Sequence, residues 1–185
     1  ASDMPGSLGQ SDLFKVKISN NGSYGAPVNL GAGINTPGRE TFPFISADGE
    51  LYYATDGRPG LGGLDVFVSK IVADGVFSES QNVGAPINGK TDDFALLIDS
   101  KSRSGFFTSN REGGKGYDDI YKFLEIKKLS CEQELSGIIT DAETGVILPN
   151  THVVLLDRNF KELKHVDSDA KGFYLFEVAC GETYY

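Results

Sequence analysis

Histidine is scarce in this sequence, and the short motifs of two large enzyme classes are missing. The only histidines are His152 and His165. The sequence contains neither His-Glu-x-x-His, which binds zinc in metallopeptidases, nor the Gly-x-Ser-x-Gly nucleophile elbow of hydrolases. We interpret both histidines as surface residues of strands. The sequence offers no candidate catalytic residue, and we predict that the protein is not an enzyme.

Clusters of basic residues are also missing. Lysine and arginine number 17 against 26 acidic residues, which gives a formal net charge of -9 and a pI near 4.7. Nucleic acids are bound through clustered Lys and Arg side chains, so this composition argues against a nucleic-acid partner. The negative charge either serves solubility or forms an acidic docking surface, and the sequence leaves both interpretations open.

The sequence repeats itself with a period near 53 residues. A glycine-rich loop leads to an aspartate in each of three copies, and these residues, Asp12, Asp65 and Asp119, lie 53 and 54 positions apart. A second marker, Asn29–Asn35, returns 53 positions later as Asn82–Asn88. Two markers with one period indicate a structural repeat.

The most complete copy predicts four short strands and an all-β protein. The predicted strands are Phe42–Ser46, Glu50–Thr55, Asp65–Val72 and Val76–Asn82. The Asp48-Gly49 pair between the first two strands is typical of a tight hairpin turn. Repeats of about 50 residues with four strands are typical of a β-propeller, whose blades bury their faces against neighbouring blades.

This copy resembles the WD40-like, TolB-type propeller repeat. Phe42–Asp56 follows the family pattern Phe-Pro-x-x-Ser-x-Asp-Gly-x-Leu-Tyr-x-x-Ser/Thr-Asp, and Gly62–Phe67 follows Gly-Gly-x-Asp-Ile/Val-Tyr/Phe. The third copy departs from the pattern at Leu96, which replaces the proline, and at Lys101-Ser102, which replaces Asp-Gly. The variant with Asn-Leu-Gly-x-x-Ile-Asn-Thr is similar to that of periplasmic OmpA-family proteins of Bacteroidota-type bacteria.

The composition changes after Ile126, where we predict a domain boundary. Residues 1–126 would hold incomplete propeller blades, and residues 127–185 resemble the carboxypeptidase regulatory-like domain, a β-sandwich of the transthyretin or Ig-like kind. The matching residues are Gly137, Asp141, Thr144-Gly145, Leu148-Pro149 and the Asp169–Phe173 turn. The resemblance implies an accessory sandwich without a zinc site, truncated at its C-terminal end.

The two resemblances together imply a non-catalytic scaffold of the cell envelope. Proteins with this domain order end in an OmpA-like peptidoglycan-binding domain, and some are associated with the type IX secretion system. The expected partners are therefore envelope proteins, which could include type IX components, and peptidoglycan through a domain that the sequence does not contain. The expected location is the periplasm, at the outer membrane and peptidoglycan.

We expect the sequence to be a piece of a longer protein. It begins inside a repeat and holds fewer blades than the roughly four to eight of a closed propeller. It contains no signal peptide or transmembrane segment, so we predict no direct membrane insertion. A fragment would have lost its leader, and this absence does not indicate the cytoplasm.

Two cysteines, Cys131 and Cys180, frame the second domain. In an oxidising periplasm this arrangement suits a disulfide, which would stabilise the domain by roughly 3–4 kcal/mol in the chain-entropy model. Two separate buried thiols are the alternative.

The repeated loops are the best candidate functional positions. An aspartate at a strand start commonly accepts hydrogen bonds from its own turn, whereas Asp carboxylates can also bind calcium. We favour the structural role and predict no cofactor, with calcium as the alternative. The residues of this motif are Asp12, Asp56, Asp65, Asp119, Gly62, Gly63, Gly113 and Gly114.

Two other functions stay open. The propeller could be the accessory part of a peptidase or hydrolase whose catalytic domain lies elsewhere, although a sandwich directly after the blades argues against this. The sequence could also be a glycan-binding module.

Overall fold

The computed structural model describes residues 1–127, 129, 132–179 and 183–185, and these residues form an all-β structure without helices. The chain divides into two compact units, Ala1–Lys128 and Leu129–Tyr185. This division lies two residues beyond the predicted boundary at residue 126.

Unit 1 contains three antiparallel sheets that follow one another along the chain. The first sheet pairs β1 (Phe14–Lys15) with β2 (Val28–Asn29). The middle sheet consists of β3 (Glu40–Ile45), β4 (Glu50–Thr55), β5 (Asp65–Ala73), β6 (Val76–Phe77) and β7 (Gln81–Asn82). The third sheet consists of β8 (Asp93–Ile98), β9 (Ser104–Ser109) and β10 (Asp119–Leu124).

The strands predicted for the middle sheet occur in the predicted order. One prediction is wrong, because it gave a single strand where the structure has two. The segment predicted as a single strand, Val76–Asn82, forms two short strands, β6 and β7, which both pair with β5. Between β6 and β7 the Ser78 N–H still donates to the Lys70 carbonyl at 2.9 Å, and two further hydrogen bonds involve serine side chains. Ser69 Oγ donates to the Ser78 carbonyl at 2.6 Å, and the Lys70 N–H donates to Ser78 Oγ at 2.9 Å.

The repeat extends to the backbone geometry. The register of β3 shifts between Thr41 and Phe44, and the register of β8 shifts between Phe94 and Leu97. At each bulge a non-glycine residue is left-handed, Phe42 with φ 49° and Ala95 with φ 51°. An L-residue avoids this region because its Cβ approaches the carbonyl oxygen. The same strained bulge therefore recurs 53 positions apart.

Hairpin turns differ between the two copies where the sequence differs. In the middle sheet Gly49 occupies the left-handed position with φ 80° and donates its N–H to the Ser46 carbonyl at 3.0 Å. In the third sheet the left-handed residue is Arg103, one position after the Ser102 that the sequence aligned with Gly49; its φ is 53°, and its N–H donates to the Asp99 carbonyl at 2.8 Å. The hairpin is kept although its Asp-Gly sequence is lost.

Two hydrophobic clusters lie between the three sheets, because neighbouring residues of β4 and β5 point to opposite faces of the middle sheet. One face contributes Tyr52 and Val66 to a cluster with the third sheet. The other face contributes Tyr53 and Phe67 to a cluster with the first sheet. The other buried members are Val68, Leu96, Ile98 and Phe107 in the former and Leu13, Ile34 and Leu51 in the latter.

The described residues of unit 2 form two antiparallel strand pairs. One pair is β11 (Glu132–Ile138) with β14 (Phe173–Ala179), and the other is β12 (His152–Leu156) with β13 (Glu162–Asp167). Leu155 and Phe176 are buried at 3% exposure each. The main chain of Tyr185 exchanges two hydrogen bonds with that of Leu156, at 2.7 and 3.0 Å.

Candidate functional site

The three repeated aspartates each bind the backbone of their own loop. Asp12, Asp65 and Asp119 accept hydrogen bonds from the amides four and three residues before them, at 2.7–3.2 Å. Asp12 and Asp65 are buried at 0% and 1% exposure. In this arrangement the carboxylate holds a tight loop against the first residue of a strand.

Several of the predicted motif glycines are needed because other atoms approach them closely. A Cβ on Gly62 would lie 2.3 Å from the Thr91 carbonyl oxygen, and one on Gly63 would lie 2.1 Å from Asp92 Oδ1. A Cβ on Gly114 would lie 2.0 Å from an Asp119 carboxylate oxygen. Gly113 instead has open space around it and a left-handed φ of 90°.

Gly62 makes a contact that recurs in the preceding copy. A Cβ on Gly9, 53 positions earlier, would lie 2.4 Å from the Thr36 carbonyl oxygen. In both copies a glycine of the acidic loop touches the backbone at the start of the next repeat. The acidic loops thus connect consecutive sheets as well as forming turns within them.

Asp56, the remaining predicted position, has a different role. Its carboxylate accepts hydrogen bonds from the Arg39 N–H at 2.7 Å and from Arg39 Nε at 2.8 Å. Burial, which raises the pKa of Asp56, is outweighed by these contacts, so the pKa of the carboxyl lies below its ordinary value. Asn110 occupies the corresponding place in the next copy, and its Oδ1 accepts from the Asp92 N–H at 2.8 Å.

The second sequence marker, Asn29–Asn35 and Asn82–Asn88, ends in an asparagine whose carboxamide binds the main chain just after the aspartate of the acidic loop. We call this arrangement the clasp. The Asn35 carboxamide accepts from the Leu13 N–H at 2.8 Å and donates to the Leu13 carbonyl at 3.0 Å. Asn88 makes the same two bonds to Val66 at 2.9 and 2.8 Å. The repeat period located this marker but did not indicate what its asparagines bind.

Two recurring pairs of charged residues are absent from the sequence-based predictions. The first pair is Glu40 and Asp93, 53 positions apart, which are fully buried acids at the starts of β3 and β8. Glu40 accepts from Thr36 Oγ1 and Thr55 Oγ1, both at 2.6 Å. Asp93 accepts from the Gly89 N–H at 2.6 Å and from Arg111 Nη2 at 2.7 Å. Aligning the copies at the 53-residue period would have shown these positions.

Arg58 and Arg111 form the second recurring pair. Arg58 Nη2 donates to the carbonyls of Gly33 and Ile34 at 2.6 and 3.3 Å, and Arg111 donates to those of Pro86 and Ile87 at 3.0 and 2.5 Å. The Arg111 guanidinium also lies 4.8 Å from the centroid of the Phe107 ring. Arg58 follows β4 and Arg111 follows β9. Each arginine therefore connects the end of its strand to the marker loop before its sheet, which is Asn29–Asn35 for Arg58 and Asn82–Asn88 for Arg111.

A polar cluster connects the hairpins of the middle and third sheets. Arg103 bonds to Asp48 at 3.1 Å and to Glu125, and Ser100 Oγ donates to Asp48 Oδ1 at 2.8 Å. The Tyr52 hydroxyl donates to Glu50 Oε2 at 3.0 Å. Burial, followed by the Glu50 carboxylate, raises the pKa of Tyr52, so this hydroxyl stays protonated at neutral pH.

The outer face of the third sheet carries exposed apolar side chains beside the exposed Lys122, which lies opposite Phe106 in the β9–β10 register. Leu97 is 48% exposed, Phe106 46% and Ile120 76%. The corresponding positions of the middle sheet are Phe44, which is partly buried, and Tyr52 and Val66, which are 5% and 1% exposed. The same side-chain positions are covered in one sheet and open in the next.

In unit 2 the residues that carry the sequence resemblance hold turns. Asp141 Oδ1 accepts from the Thr144 N–H and Oγ1 at 2.8 and 2.7 Å, and these bonds lower the pKa of Asp141. Asp169 Oδ1 accepts from the N–H groups of Lys171 and Phe173 at 2.7 and 2.9 Å. Gly172 completes this turn with a left-handed φ of 71°.

Both histidines lie on exposed strand positions of unit 2, and the β12–β13 pairing brings them together. The ring centroids of His152 and His165 are 5.0 Å apart. His152 Nδ1 lies 2.8 Å from Asp167 Oδ1, and His165 Nδ1 lies 2.9 Å from Glu162 Oε1. No sequence motif indicates this pair, because the two positions lie far apart in the chain and meet only through strand register.

The cysteines predicted to form a disulfide, Cys131 and Cys180, lie outside the described residues. Within the described ranges no three or more His, Cys, Asp or Glu side chains are grouped to share a metal ion. The part of the chain that the structure describes also contains no helix of the length and apolar character needed to cross a membrane.

Comparisons with protein-family models, with curated proteins and with solved structures found no match to this chain.

Proposed function

We propose that the chain is a non-catalytic scaffold that binds other proteins through stacked repeat sheets. In this proposal unit 1 is part of a β-propeller, and unit 2 is an accessory sandwich of the regulatory-like kind. The supporting observation is the exposed outer face of the third sheet. Its side chains occupy the repeat positions that are buried between the middle and third sheets.

The proposed occupant of this face is a further sheet of the same repeat. The argument is continuity with the two inter-sheet contacts already within unit 1. Phe106 corresponds to Tyr52 and Ile120 to Val66, both of which pack against the next sheet. Burying apolar surface contributes roughly 25 cal/mol per Å², so covering several large side chains together favours such docking.

A photo-crosslinking amino acid at Ile120, introduced into the native protein, tests the docking step. We expect crosslinks to peptides that carry the Gly-Gly-x-Asp-Ile/Val-Tyr/Phe repeat and that differ from the chain's own Gly62–Phe67. The same probe at Tyr117, which is 91% exposed in the preceding loop, is the control and should give no such enrichment. Crosslinks from position 120 that go only to sequences without the repeat would overturn the proposed occupant.

The cellular part of the proposal follows from the sequence resemblance. A periplasmic scaffold of the OmpA family would connect an outer-membrane or type IX secretion assembly to peptidoglycan through a separate domain. Cross-linking mass spectrometry on native envelopes tests this role. We expect envelope or secretion proteins among the crosslinked partners, and recovery of the protein from the cytoplasmic fraction alone would contradict the proposal.

A further inference from the structure

His152 and His165 are brought together by strand pairing. In the β12–β13 register His152 lies opposite Asp167, and Val154 lies opposite His165. The two histidines are therefore diagonal neighbours on one face of the sheet, a spacing at which long side chains can reach each other. Their side chains are 58% and 60% exposed, whereas Leu155 on the opposite face is 3% exposed.

Each imidazole is oriented by its own carboxylate. Asp167 lies at Nδ1 of His152, and Glu162 lies at Nδ1 of His165, at 2.8 and 2.9 Å. When Nδ1–H of a neutral imidazole donates to a carboxylate, Nε2 carries the lone pair. Such carboxylate–histidine pairs fix the tautomer and the orientation of the ring for metal binding.

We propose that His152 and His165 form a two-imidazole site for a divalent first-row transition-metal ion such as Zn²⁺. Imidazole nitrogen suits Zn²⁺, Cu²⁺ and Ni²⁺, and two nitrogens about 2.1 Å from one ion lie no more than about 4.2 Å apart. The ring centroids are 5.0 Å apart, and rotation of the exposed side chains can bring the two Nε2 atoms within that nitrogen–nitrogen limit. Water would complete the coordination, and the Asp167 and Glu162 charges would favour a cation. Asp167 and Glu162 are positioning residues.

Zinc titration of the 15N-labelled protein tests the site, with the imidazole nitrogens observed individually by long-range 1H–15N NMR. This readout separates the histidines from Cys131 and Cys180, which stay in place in every variant. We expect saturable binding of one Zn²⁺ that shifts the Nε2 resonances of both histidines. His152→Gln and His165→Gln should each weaken binding at the remaining imidazole at least tenfold.

The positioning residues give a second test. Asp167→Asn and Glu162→Gln should weaken zinc binding roughly 10–100-fold, the usual effect of losing such a carboxylate. Glu143→Gln, an exposed acid of the same unit, is the charge-matched control and should leave the affinity unchanged. The apo spectra of all variants should keep the wild-type backbone shifts.

Three results would overturn the metal site. The first is the absence of saturable Nε2 shifts in the wild-type protein up to millimolar zinc. The second is a zinc-induced Nε2 shift of one histidine that stays the same when the other histidine is replaced. The third is an equal loss of affinity in Glu143→Gln and Glu162→Gln, which would indicate a general charge effect.

Discussion

The carboxamide of Asn88 binds both main-chain groups of Val66, whose carbonyl also accepts from the Val83 N–H at 3.1 Å. It accepts from the Val66 N–H at 2.9 Å and donates to the Val66 carbonyl at 2.8 Å. Its second N–H donates to Asn82 Oδ1 at 2.7 Å, and that oxygen also accepts from the Gly84 N–H at 2.7 Å. One side chain thus joins the marker loop to β5 in a place where water is excluded, since Asn88 is 2% exposed.

Replacing Asn88 by alanine should therefore destabilise unit 1 strongly. The substitution leaves the Val66 N–H buried without a partner, whereas the Val66 carbonyl still accepts from the Val83 N–H at 3.1 Å. One unsatisfied buried group costs about 1–3 kcal/mol, and we expect a loss of this size in the free energy of unfolding, measured by urea denaturation. Asn20→Ala, at an exposed position, should change it by less than about 0.5 kcal/mol. Similar small losses in both variants would contradict the role of the clasp.

Left-handed backbone conformations at Gly84 and Ala95 predict stability changes of opposite sign when the two residue types are exchanged. Gly84 has φ 70°, and a Cβ there would have no heavy atom within 4 Å, so Gly84→Ala should cost only the left-handed penalty of about 1–2 kcal/mol. Ala95 already carries that strain at φ 51°. Ala95→Gly should stabilise unit 1 by about 0.5–1 kcal/mol, after the larger unfolded-state entropy of glycine is subtracted.

The control for this pair is Ala73→Gly at the end of β5, where the residue is exposed and its φ is not left-handed. That substitution should destabilise unit 1 by roughly 0.5–1 kcal/mol. Thermal or urea denaturation of the three variants measures all the changes. Destabilisation by Ala95→Gly equal to that of Ala73→Gly would show that the bulge stores no strain.

The sequence predicted the all-β class and the order of the strands because both depend on local patterns. Turn residues such as Asp48-Gly49 and alternating apolar positions act over a few residues. The broken strand after β5 could not be predicted in this way. It involves a contact between Ser69 of β5 and Ser78, which lies between β6 and β7, and the apolar pattern does not encode this contact.

Only some of the candidate functional positions could be predicted from the sequence, namely those whose contacts are local. The period of the repeat located the acidic loops and the asparagine markers, whose partners lie in the same copy. The outer face of the third sheet could not be identified from the pattern, because Phe106 and Phe107 are adjacent and only the packing decides which is buried. Phe107 is 4% exposed and Phe106 is 46% exposed.

Asp56 should make part of the stability of unit 1 dependent on acid pH. The Arg39 contacts lower the folded-state pKa of Asp56 below the ordinary value of 3.8, so its contribution is present above that pH. The contribution is lost as the pH falls through the folded-state pKa. Asp56→Asn should cost about 0.5–1 kcal/mol near neutral pH, because this ion pair is partly exposed, and nothing once Asp56 is protonated.

Urea denaturation of the wild type and Asp56→Asn at neutral pH and near pH 2, roughly two units below the ordinary pKa of Asp, measures this difference. The amide should be tolerated, since Asn110 makes the corresponding backbone contact in the next copy. Asp118→Asn, at an exposed position of the same unit, serves as the control. An equal loss of stability at both pH values would indicate a structural defect instead of a lost ion pair.

Tyr52 and Tyr53 should make unit 1 sensitive to alkali. Burial is the largest cause that raises the pKa of each hydroxyl, and the two side chains are 5% and 1% exposed. A group whose pKa is raised by folding stabilises the fold fully below its unfolded pKa, which is about 10 for tyrosine. Above that pH the unfolded chain loses these protons and the folded chain keeps them. The free energy of unfolding should therefore fall by up to roughly 1.4 kcal/mol per pH unit for each tyrosine.

The double variant Tyr52→Phe/Tyr53→Phe isolates this effect. Near neutral pH it should lose about 1–3 kcal/mol, because the bonds to Glu50 and Ser80 disappear. Between about pH 10 and pH 11.5 its stability should fall less steeply than that of the wild type. Tyr117→Phe, at a 91% exposed position, should keep the wild-type slope. Equal slopes in the double variant and the wild type would mean that both buried hydroxyls ionise in the folded protein, which is incompatible with their burial between the sheets.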